Sequence, residues 1–354
     1  MLSRVFAFVL MMSAAAPGVA QDVDPVPVTL PGSDFVPSIA QDQAGVMWIA
    51  TQGGLLRYDG EDARLYTHDS LDAASISHNY IEEVYVDRSG TLWVGTYGGG
   101  LNRYIPDTDS FERFRHDPDD PRSLNHDNVA AILEDRNGVL WVGTRGGLNR
   151  LDRSRGGFER FEHDPQDPTT ISNNWARALH EDSRGRFWVG THGGLNLFDR
   201  NDGTFTRFTH DPDDPTSLIE GRVSAIHEDD DGRLWVGTGR TTGGLNVLDV
   251  EEGTVRRYRF DASASDWPAD PRPSGPWTGG GVTAIEQDVD GTLWFANWEG
   301  WVTGFDPSTN RAVNYNVREL TEAPEAHPFT IFQSDDGTLW FGSVYGPLLR
   351  SASP

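Results

Sequence analysis

The sequence predicts an all-β protein, a seven-bladed β-propeller of four-stranded antiparallel blades, on three observations. One unit recurs seven times along the 354 residues, its segments are short and bounded by turn residues, and the last unit stops one strand early. A repeat of about 40 to 50 residues is typical of propellers and solenoids. A unit that is apolar on both faces is stable only if neighbouring units cover both, as they do around a closed ring.

Each unit is marked by a tryptophan that follows an acidic, glycine-containing turn. Clear copies read GTLWVGTYGGGLNRY from Gly90 and GVLWVGTRGGLNRLD from Gly138, and two weaker copies begin at Gly291 and Gly337. Successive tryptophans are separated by 45, 48, 47, 47, 59 and 46 residues. The blades are therefore predicted to be centred on Trp48, Trp93, Trp141, Trp188, Trp235, Trp294 and Trp340.

The third unit shows the four strands most clearly. Residues 129–134 form a first strand that ends at an Asn-Gly turn, and residues 139–144 form a second strand that is apolar on both faces. A third strand over 148–151 follows a Gly-Gly turn. Residues 158–162 alternate apolar and charged side chains, which is typical of an exposed outer strand.

The seventh unit lacks its fourth strand, because the chain ends directly after the third. The segment PVPVTL over residues 25–30 precedes the first unit, is short and is not assigned to any blade. We predict that it is the outer strand of blade seven and closes the ring, since an edge strand tolerates proline. Residues 21–354 then form a single propeller.

Residues 1–20 have the pattern of a secretory signal peptide. Arg4 precedes an apolar run over residues 5–16, and the pair Pro17-Gly18 follows it. The run is shorter than the ~20 apolar residues that span a bilayer. We expect export to the periplasm or the medium with no membrane span after cleavage; an uncleaved anchor is the alternative.

The composition excludes several classes of function. All 29 cationic residues are arginine, so the lysine chemistry of kinases, P-loop enzymes and Schiff-base enzymes is missing, and there is no cysteine for thiol or thiolate-metal chemistry. The net charge of −25 would repel phosphate backbones, so no nucleic-acid partner is expected. No cofactor or metal motif is present. The recurring His116, His163 and His210 are expected to cap the turn after the outer strand.

The repeated motif resembles the two-component regulator propeller repeat. The resemblance rests on the Trp, Gly-Thr and Gly-Gly-Leu-Asn elements and on connectors such as HDPDDPRSL from His116 and HDPDDPTSL from His210, and it covers about residues 35–350. It implies a periplasmic ligand-sensing region of a bacterial signal-transduction system, as in hybrid sensor kinases. Such sensors also carry a second propeller, a β-sandwich, a membrane span and an output domain. This sequence shows none of these, so we expect a free-standing or truncated sensing module that has a membrane sensor or output protein as a partner.

Two positions per unit vary while the residues around them repeat. Both are predicted at one rim of the ring, where they would form an asymmetric binding surface of stacking aromatics and bidentate arginines. The position after Gly-Thr holds Gln52, Tyr97, Arg145, His192, Arg240, Trp298 and Tyr345. The position before the first strand contributes Tyr80, Asn128, Trp175, Arg222 and His327. The alternative is that rim positions vary because nothing constrains them.

These observations predict an exported binding or sensing propeller without catalysis of its own. The ligand is expected at the central mouth and is an oligosaccharide or another small molecule. The alternatives are a protein-interaction platform and, less favoured, a propeller glycosidase or lyase. The long step before blade six adds residues 261–281 with Trp267 and Trp277, which form either a partial lid over the mouth or a disordered insertion.

Overall fold

The computed structural model describes residues 25–28, 30–31, 34–240, 243–258, 280–307, 309 and 311–351. Within them, 28 strands form seven four-stranded antiparallel sheets. The first strand of each sheet lies beside the first strand of the next, and that of the last sheet lies beside that of the first. The ring is therefore closed, and the predicted all-β seven-bladed propeller is confirmed.

The strands of the first four blades follow a closing strand. They are β1 Pro25–Val28; β2 Ile39–Gln41, β3 Met47–Ala50, β4 Leu55–Tyr58 and β5 Ala63–Tyr66 (blade 1); β6 Ile81–Val86, β7 Leu92–Thr96, β8 Leu101–Ile105 and β9 Ser110–Phe114 (blade 2); β10 Val129–Glu134, β11 Leu140–Thr144, β12 Gly147–Leu151 and β13 Phe158–Phe161 (blade 3); β14 Ala176–Glu181, β15 Phe187–Thr191, β16 Gly194–Phe198 and β17 Phe205–Phe208 (blade 4).

The remaining blades contain the single short helix of the described residues, between the last strand of blade 6 and the first of blade 7. The elements are β18 Val223–Glu228, β19 Leu234–Thr238, β20 Gly244–Asp249 and β21 Thr254–Tyr258 (blade 5); β22 Val282–Gln287, β23 Leu293–Asn297, β24 Trp301–Asp306, β25 Arg311–Asn316 and α1 Val317–Thr321 (blade 6 and its connector); β26 His327–Gln333, β27 Leu339–Val344 and β28 Leu348–Ser351 (blade 7). No described helix is long and apolar enough to cross a membrane.

Strand β1 is the fourth strand of blade 7, as the sequence predicts. It pairs antiparallel with β28, with Val26 opposite Arg350 and Val28 opposite Leu348. Val28 and Leu30 pack against the cluster that contains Trp340 of blade 7 and Ile49 of blade 1. The first residues of the propeller therefore hold its two ends together.

Seven apolar clusters fill the seven interfaces between adjacent blades. The interface of blades 3 and 4 is typical: Trp141 of β11 packs with Phe187 and Val189 of β15. The glycine of the Gly-Thr motif permits this approach, since a Cβ on Gly143 would lie 2.8 Å from the carbonyl oxygen of Ala176 in the next blade. Each blade thus supplies one wall of its neighbour's core.

The acidic turns satisfy the buried tryptophans. In blades 1 to 6 the indole N–H donates to the aspartate that opens the turn six residues earlier, at 2.7 to 2.9 Å. In blade 7 the acceptor is the hydroxyl of Ser334, at 3.1 Å. A buried donor left without a partner costs about 1–3 kcal/mol, so the aspartates are structural.

A second set of bonds joins the same turns from blade to blade. A backbone N–H of one turn donates to the Glu or Gln side chain at the end of the next blade's first strand, at 2.5 to 3.0 Å, from blade 2 through blade 7. The last of these runs from Asp335 to Gln41 and links blade 7 to blade 1.

Two predicted segments lie outside the described residues. These are the signal peptide over residues 1–20 and most of the insertion before blade 6, with Trp267 and Trp277.

Candidate ligand-binding mouth

The two variable positions of each blade lie on the face of the ring opposite the acidic turns. Second strands end there, third strands begin there and first strands begin there. The face opens into a cavity of about 380 Å³ lined by residues of all seven blades. This volume lies in the ~300–1,000 Å³ range of small-ligand pockets.

In blades 2 to 5 the rim turn after the second strand is held by the threonine of the Gly-Thr motif. In blade 3 the hydroxyl of Thr144 accepts the N–H of Gly146 at 2.9 Å and donates to the carbonyl of Gly147 at 3.2 Å. Arg145 lies between Thr144 and Gly146 in this turn. The hydrogen bonds fix the backbone of the turn, and the side chain of Arg145 takes no part in them, so the residue at this position can differ between blades. The repeat thereby provides a rigid seat for a different side chain in each blade.

The second variable position is fixed against the first by the backbone. The N–H of Arg145 donates to the carbonyl of Asn128 at 3.2 Å, and the N–H of Tyr97 donates to that of Tyr80 at 3.0 Å. The N–H of His192 donates to the carbonyl of Trp175 in the same way, at 3.3 Å. In these three blades the hydrogen bond holds the two variable positions side by side, so both present their side chains at the mouth.

Aromatic and arginine side chains stack around one side of the mouth. The guanidinium carbon of Arg145 lies 4.7 Å from the ring centroid of Tyr97 and 4.0 Å from that of Trp175. Trp175 stacks in turn on His192 at 3.9 Å, and Tyr97 packs on Tyr80 at 5.2 Å. Cation–π contacts of this kind contribute about 0.5–2 kcal/mol each and hold the arginine by its faces, leaving its N–H edge available.

The stack continues around the other side of the ring. Phe35 packs on Tyr80 at 5.3 Å and on Phe329 at 6.3 Å. Trp298 packs on Phe329 at 5.7 Å and lies under the guanidinium of Arg240 at 4.6 Å. We call this continuous set of contacting side chains the collar. In order around the ring its members are His192, Trp175, Arg145, Tyr97, Tyr80, Phe35, Phe329, Trp298 and Arg240.

A β-bulge in the first strand of blades 2 to 7 turns one more residue toward the axis. In blade 4 the pairing of β14 with β15 shifts between Ala176 and Ala178, so Arg177 has no residue opposite it on β15. A bulge re-aims a side chain in this way. The other bulge residues are Glu82, Ala130, Ser224, Thr283 and Phe329. All six line the cavity.

Two bulge residues from opposite sides of the ring meet over the axis. The guanidinium carbon of Arg177 in blade 4 lies 5.5 Å from the ring centroid of Phe329 in blade 7. Because these blades are three apart in a ring of seven, the contact spans the central opening. Arg177 and Phe329 therefore form part of the floor of the cavity.

The carboxyl groups of Glu82 and Glu83, both on blade 2, lie near the arginines of the cavity. Burial raises the pKa of Glu83 to about 8, against a hydrogen bond from the hydroxyl of Ser38 at 3.2 Å. Burial also raises the pKa of Glu82, opposed by the charges of Arg177 and Arg145. Glu83 is consequently protonated at neutral pH, and the positive charge of the arginines dominates the cavity.

The opposite side of the mouth is strongly cationic. Burial, together with the charges of Arg177 and Arg240, lowers the pKa of Arg222 to about 10. Burial and the three charges of Arg222, Arg177 and Arg145 lower the pKa of His192 to about 3. His192 is therefore a neutral imidazole, and Arg222 keeps its charge at neutral pH.

Several donors at the mouth are buried without a partner among the described residues. They are Nε of Arg145, Nε of Arg222, Nε1 of Trp175 and the Nε2 atom of His192. Buried polar groups are normally satisfied, so a cluster of unsatisfied ones in a cavity needs an explanation such as a bound molecule.

Nine of the twelve predicted residues line the cavity: Gln52, Tyr80, Tyr97, Arg145, Trp175, Arg222, Arg240, Trp298 and Tyr345. Three do not. His192 and His327 lie behind Trp175 and Trp298 respectively, and Asn128 is buried at 6% exposure.

The variable position of blade 7 was assigned to Tyr345 from the sequence. This prediction lies one residue too far along the chain, because Val344 lies four residues after Trp340 as Tyr97 lies four residues after Trp93. Val344, which is buried, pairs with His327 and Phe35 at the position that Tyr97 holds in blade 2. Tyr345 follows it with φ 60° and 65% exposure. A left-handed φ is costly for a bulky residue and is often retained at functional sites.

The bulge residues were not predicted as a set from the sequence. A signal was present: the residue two positions after Tyr80, Trp175 and their equivalents varies between blades as widely as the rim does. It was masked because a strand interior is expected to alternate faces, and only the bulge turns this position toward the axis.

The recurring histidines bond their own connectors. Nδ1 of His116, His163 and His210 lies 2.7 Å from the carbonyl oxygen eight residues further along the chain. No group of three or more potential metal ligands is found in the part of the chain that the structure describes.

The fold and mouth define a repeat propeller with one asymmetric face, and the sequence comparison gives the family. The family described as two component regulator propeller matches residues 29–53, 75–98, 123–146, 170–193 and 217–240, one match in each of blades 1 to 5. Five units of the chain are therefore two-component regulator propeller repeats, as their motifs indicate.

Solved structures share the fold. The extracellular domain of a predicted hybrid two-component system from B. thetaiotaomicron superposes with a TM-score of 0.75 at 24% identity, covering 94% of this chain and 42% of that one. This chain thus spans less than half of that structure. A streptogramin B lyase superposes with a TM-score of 0.65 at 15% identity, covering 94% of this chain and 97% of that one. At such identities the likeness shows the propeller fold alone. No curated protein sequence matches the chain significantly.

Proposed function

We propose that this protein is an exported sensing or binding module of a bacterial signal-transduction system, which recognises an oligosaccharide or another small ligand at the mouth and has no catalysis of its own. The family of its repeats and the fold it shares with an extracellular two-component domain support the signalling role. The observation that carries the binding role is the collar, a continuous set of stacking and hydrogen-bonding side chains around one cavity.

The collar suits a sugar because it combines flat apolar faces with charged donors. Trp298 and Tyr97 present aromatic surface to the cavity, and Tyr97 is 40% exposed. Arg145 is already held between two rings, so ordering it on binding costs little conformational entropy. Preorganisation of this kind is what a binding site needs.

The proposed location is the periplasm or the medium. Residues 1–20 act as a cleaved signal peptide, and residues 21–354 form the mature propeller. The partner is a membrane sensor or output protein that reads the liganded state of the mouth.

The test is a thermal-shift screen of the exported protein against pools of oligosaccharides. We expect one pool to raise the midpoint of unfolding, and Trp298→Ala to weaken the binding of its active component by about tenfold or more through loss of stacking. Leu71→Ala is the control, because Leu71 is an exposed apolar side chain, 96% accessible, on a connector.

The other outcomes distinguish the alternatives. Chemical turnover of the active component would assign an enzyme, and would reopen the comparison with the lyases that share the fold. Silence of every pool would favour docking of a protein on this face.

A further inference from the structure

We propose that the ligand of the mouth is an acidic oligosaccharide, one that carries carboxylate groups as uronic acid units do. This inference rests on the proposed function and adds the charge of the ligand. It is carried by four arginines that share one cavity and have no carboxylate oxygen within 4.0 Å among the described residues.

The four arginines come from three consecutive blades. Arg145 belongs to blade 3, Arg177 to blade 4, and Arg222 and Arg240 to blade 5, and all four line the same cavity. Their charges are close enough for Arg177 and Arg240 to lower the pKa of Arg222. Repulsion between the four positive charges lowers the stability of the folded protein unless a bound anion offsets it.

None of the four has a carboxylate oxygen within 4.0 Å among the described residues. The sequence contains 54 acidic residues against 29 arginines, so partners are plentiful. Elsewhere the chain uses them: Arg200 bridges Asp135 at 3.3 Å and Glu181 at 2.7 Å. Arg113, Arg160 and Arg207 also have no carboxylate within 4.0 Å, but they donate to backbone carbonyls, which none of the four mouth arginines does among the described residues.

The acidic groups nearest to the cluster do not neutralise it. Glu82 and Glu83 both line the cavity near Arg177, and burial raises the pKa of both, that of Glu83 to about 8. The carboxylate of Glu220 accepts the backbone N–H of Arg222 at 3.1 Å. Four guanidinium charges therefore exceed the negative charge around them.

The free edges of the guanidinium groups suit a carboxylate. The only hydrogen bond that a described residue accepts from any of these four side chains is from Arg145 to the hydroxyl of Tyr97, at 3.3 Å. Nε of Arg145 and Nε of Arg222 are buried and unpartnered. A guanidinium pairs with a planar carboxylate through two parallel hydrogen bonds, and such charge-assisted bonds are the strongest that side chains make.

The aromatic half of the collar indicates that the acid is borne on a sugar ring. Four aromatic rings of the cavity lining, Phe35, Tyr80, Phe329 and Trp298, lie on blades 1, 2, 7 and 6, outside the three blades that carry the arginines. A molecule with one charged edge and one apolar face would meet both halves at once. Uronic acids have this character, whereas a bare inorganic anion would leave the aromatic half unused.

The experiment measures binding of matched probes to the exported protein by isothermal titration calorimetry. The acidic probes are short oligomers of galacturonate, glucuronate and mannuronate, and each has a methyl-esterified counterpart that keeps the shape and removes the charge. We expect one acidic probe to bind, its ester to bind at least about tenfold more weakly, and added salt to weaken the acidic probe selectively.

Two variants with the same change of charge complete the test. Arg222→Gln should weaken the acidic probe by about tenfold or more, whereas Arg155→Gln should not, since Arg155 lies 83% exposed in the turn between β12 and β13. The thermal midpoint of each variant, measured alongside, shows whether it is folded. Rescue of the acidic probe by Arg222→Lys to an intermediate affinity would indicate that charge and bidentate geometry both contribute.

The outcomes separate this inference from the proposed function. Equal binding of an acid and its ester, or equal effects of the two variants, overturns the acidic ligand and leaves the binding module intact. Binding of neutral oligosaccharides with silence of every acidic probe at millimolar concentration does the same. Silence of acidic and neutral probes alike overturns both.

Discussion

The two ends of the ring differ in what they repeat. At the end with the acidic turns, blades 1 to 6 make the same bond between a tryptophan and an aspartate, and a chain of turn-to-strand bonds passes from blade to blade. At the mouth no two adjacent blades present the same pair of side chains. The repeated end stabilises the ring, and at the varied end four arginines have no carboxylate oxygen within 4.0 Å in the part of the chain that the structure describes. Stability and recognition thus occupy opposite faces of one scaffold.

Removing the strand that closes the ring should have the largest effect. Deletion of residues 25–30 exposes the edge of β28 and part of the cluster around Trp340, so we expect a loss on the order of 5 kcal/mol in the free energy of unfolding. Urea unfolding followed by tryptophan fluorescence measures it. Val26→Ala is the control, since Val26 faces solvent at 40% exposure and should change stability by under about 0.5 kcal/mol. A deletion that unfolds like the intact chain would show that the ring closes without β1.

A turn aspartate comes second. Asp182 is fully buried and accepts hydrogen bonds from Trp188 at 2.8 Å and from the backbone of Arg184 and Arg186. Asp182→Ala should lower the free energy of unfolding by about 2–4 kcal/mol, because a buried indole N–H and two partly buried backbone N–H groups lose their acceptor together.

Blade 7 provides the matched control for that substitution. Ser334 holds Trp340 through a hydroxyl, and Ser334→Ala should cost only about 1 kcal/mol. Equal losses from Ser334→Ala and Asp182→Ala would show that the aspartate adds nothing beyond the indole bond.

The smallest expected effect concerns Glu83 at the mouth and depends on pH. Burial raises the pKa of Glu83 to about 8 from an ordinary value of 4.5, so the folded state favours its protonated form. The stability gained from this is complete below pH 4.5 and is lost as the pH rises through 8. The groups that face it are Ser38, Glu82 and Arg177.

Glu83→Gln removes this titration. The free energy of unfolding of the natural protein should fall relative to that of Glu83→Gln by at least about 1 kcal/mol between pH 5 and 9, because each unit of pKa shift corresponds to 1.36 kcal/mol. Urea midpoints of the two proteins across this range provide the measurement. A constant difference would mean that Glu83 ionises in the folded state as it does in water.

The regular blades were predictable because each strand's pattern is local. For the third unit the four strands predicted from the sequence agree with β10 to β13 within one residue at each end. The closing strand was also predictable, since an incomplete last unit and an unassigned first segment leave one arrangement that pairs both. Helix α1 was not predicted, because a single turn capped by Asn316 has no repeated counterpart.

The candidate site was predictable only in part. The variable positions could be read from the repeat, and nine of the twelve residues chosen in this way line the cavity. The bulge residues were missed as a set because a shift of pairing register turns them toward the axis, and Tyr345 was chosen although Val344 lies four residues after the tryptophan of its blade. Asn128 holds a position whose residue differs from blade to blade, yet its side chain is buried. Variation between repeats therefore does not by itself indicate an exposed side chain.

The number of blades, their strands and the face on which the blades differ follow from the sequence, because these depend on a period and on short-range patterns. Three features depend on how the chain folds in space: Arg177 meets Phe329 over the axis, Arg145 is held between two rings, and four arginines share one cavity without a carboxylate partner among the described residues. Closing the ring brings together side chains that are more than a hundred residues apart, and their distances depend on bulges and twist that a linear pattern does not contain.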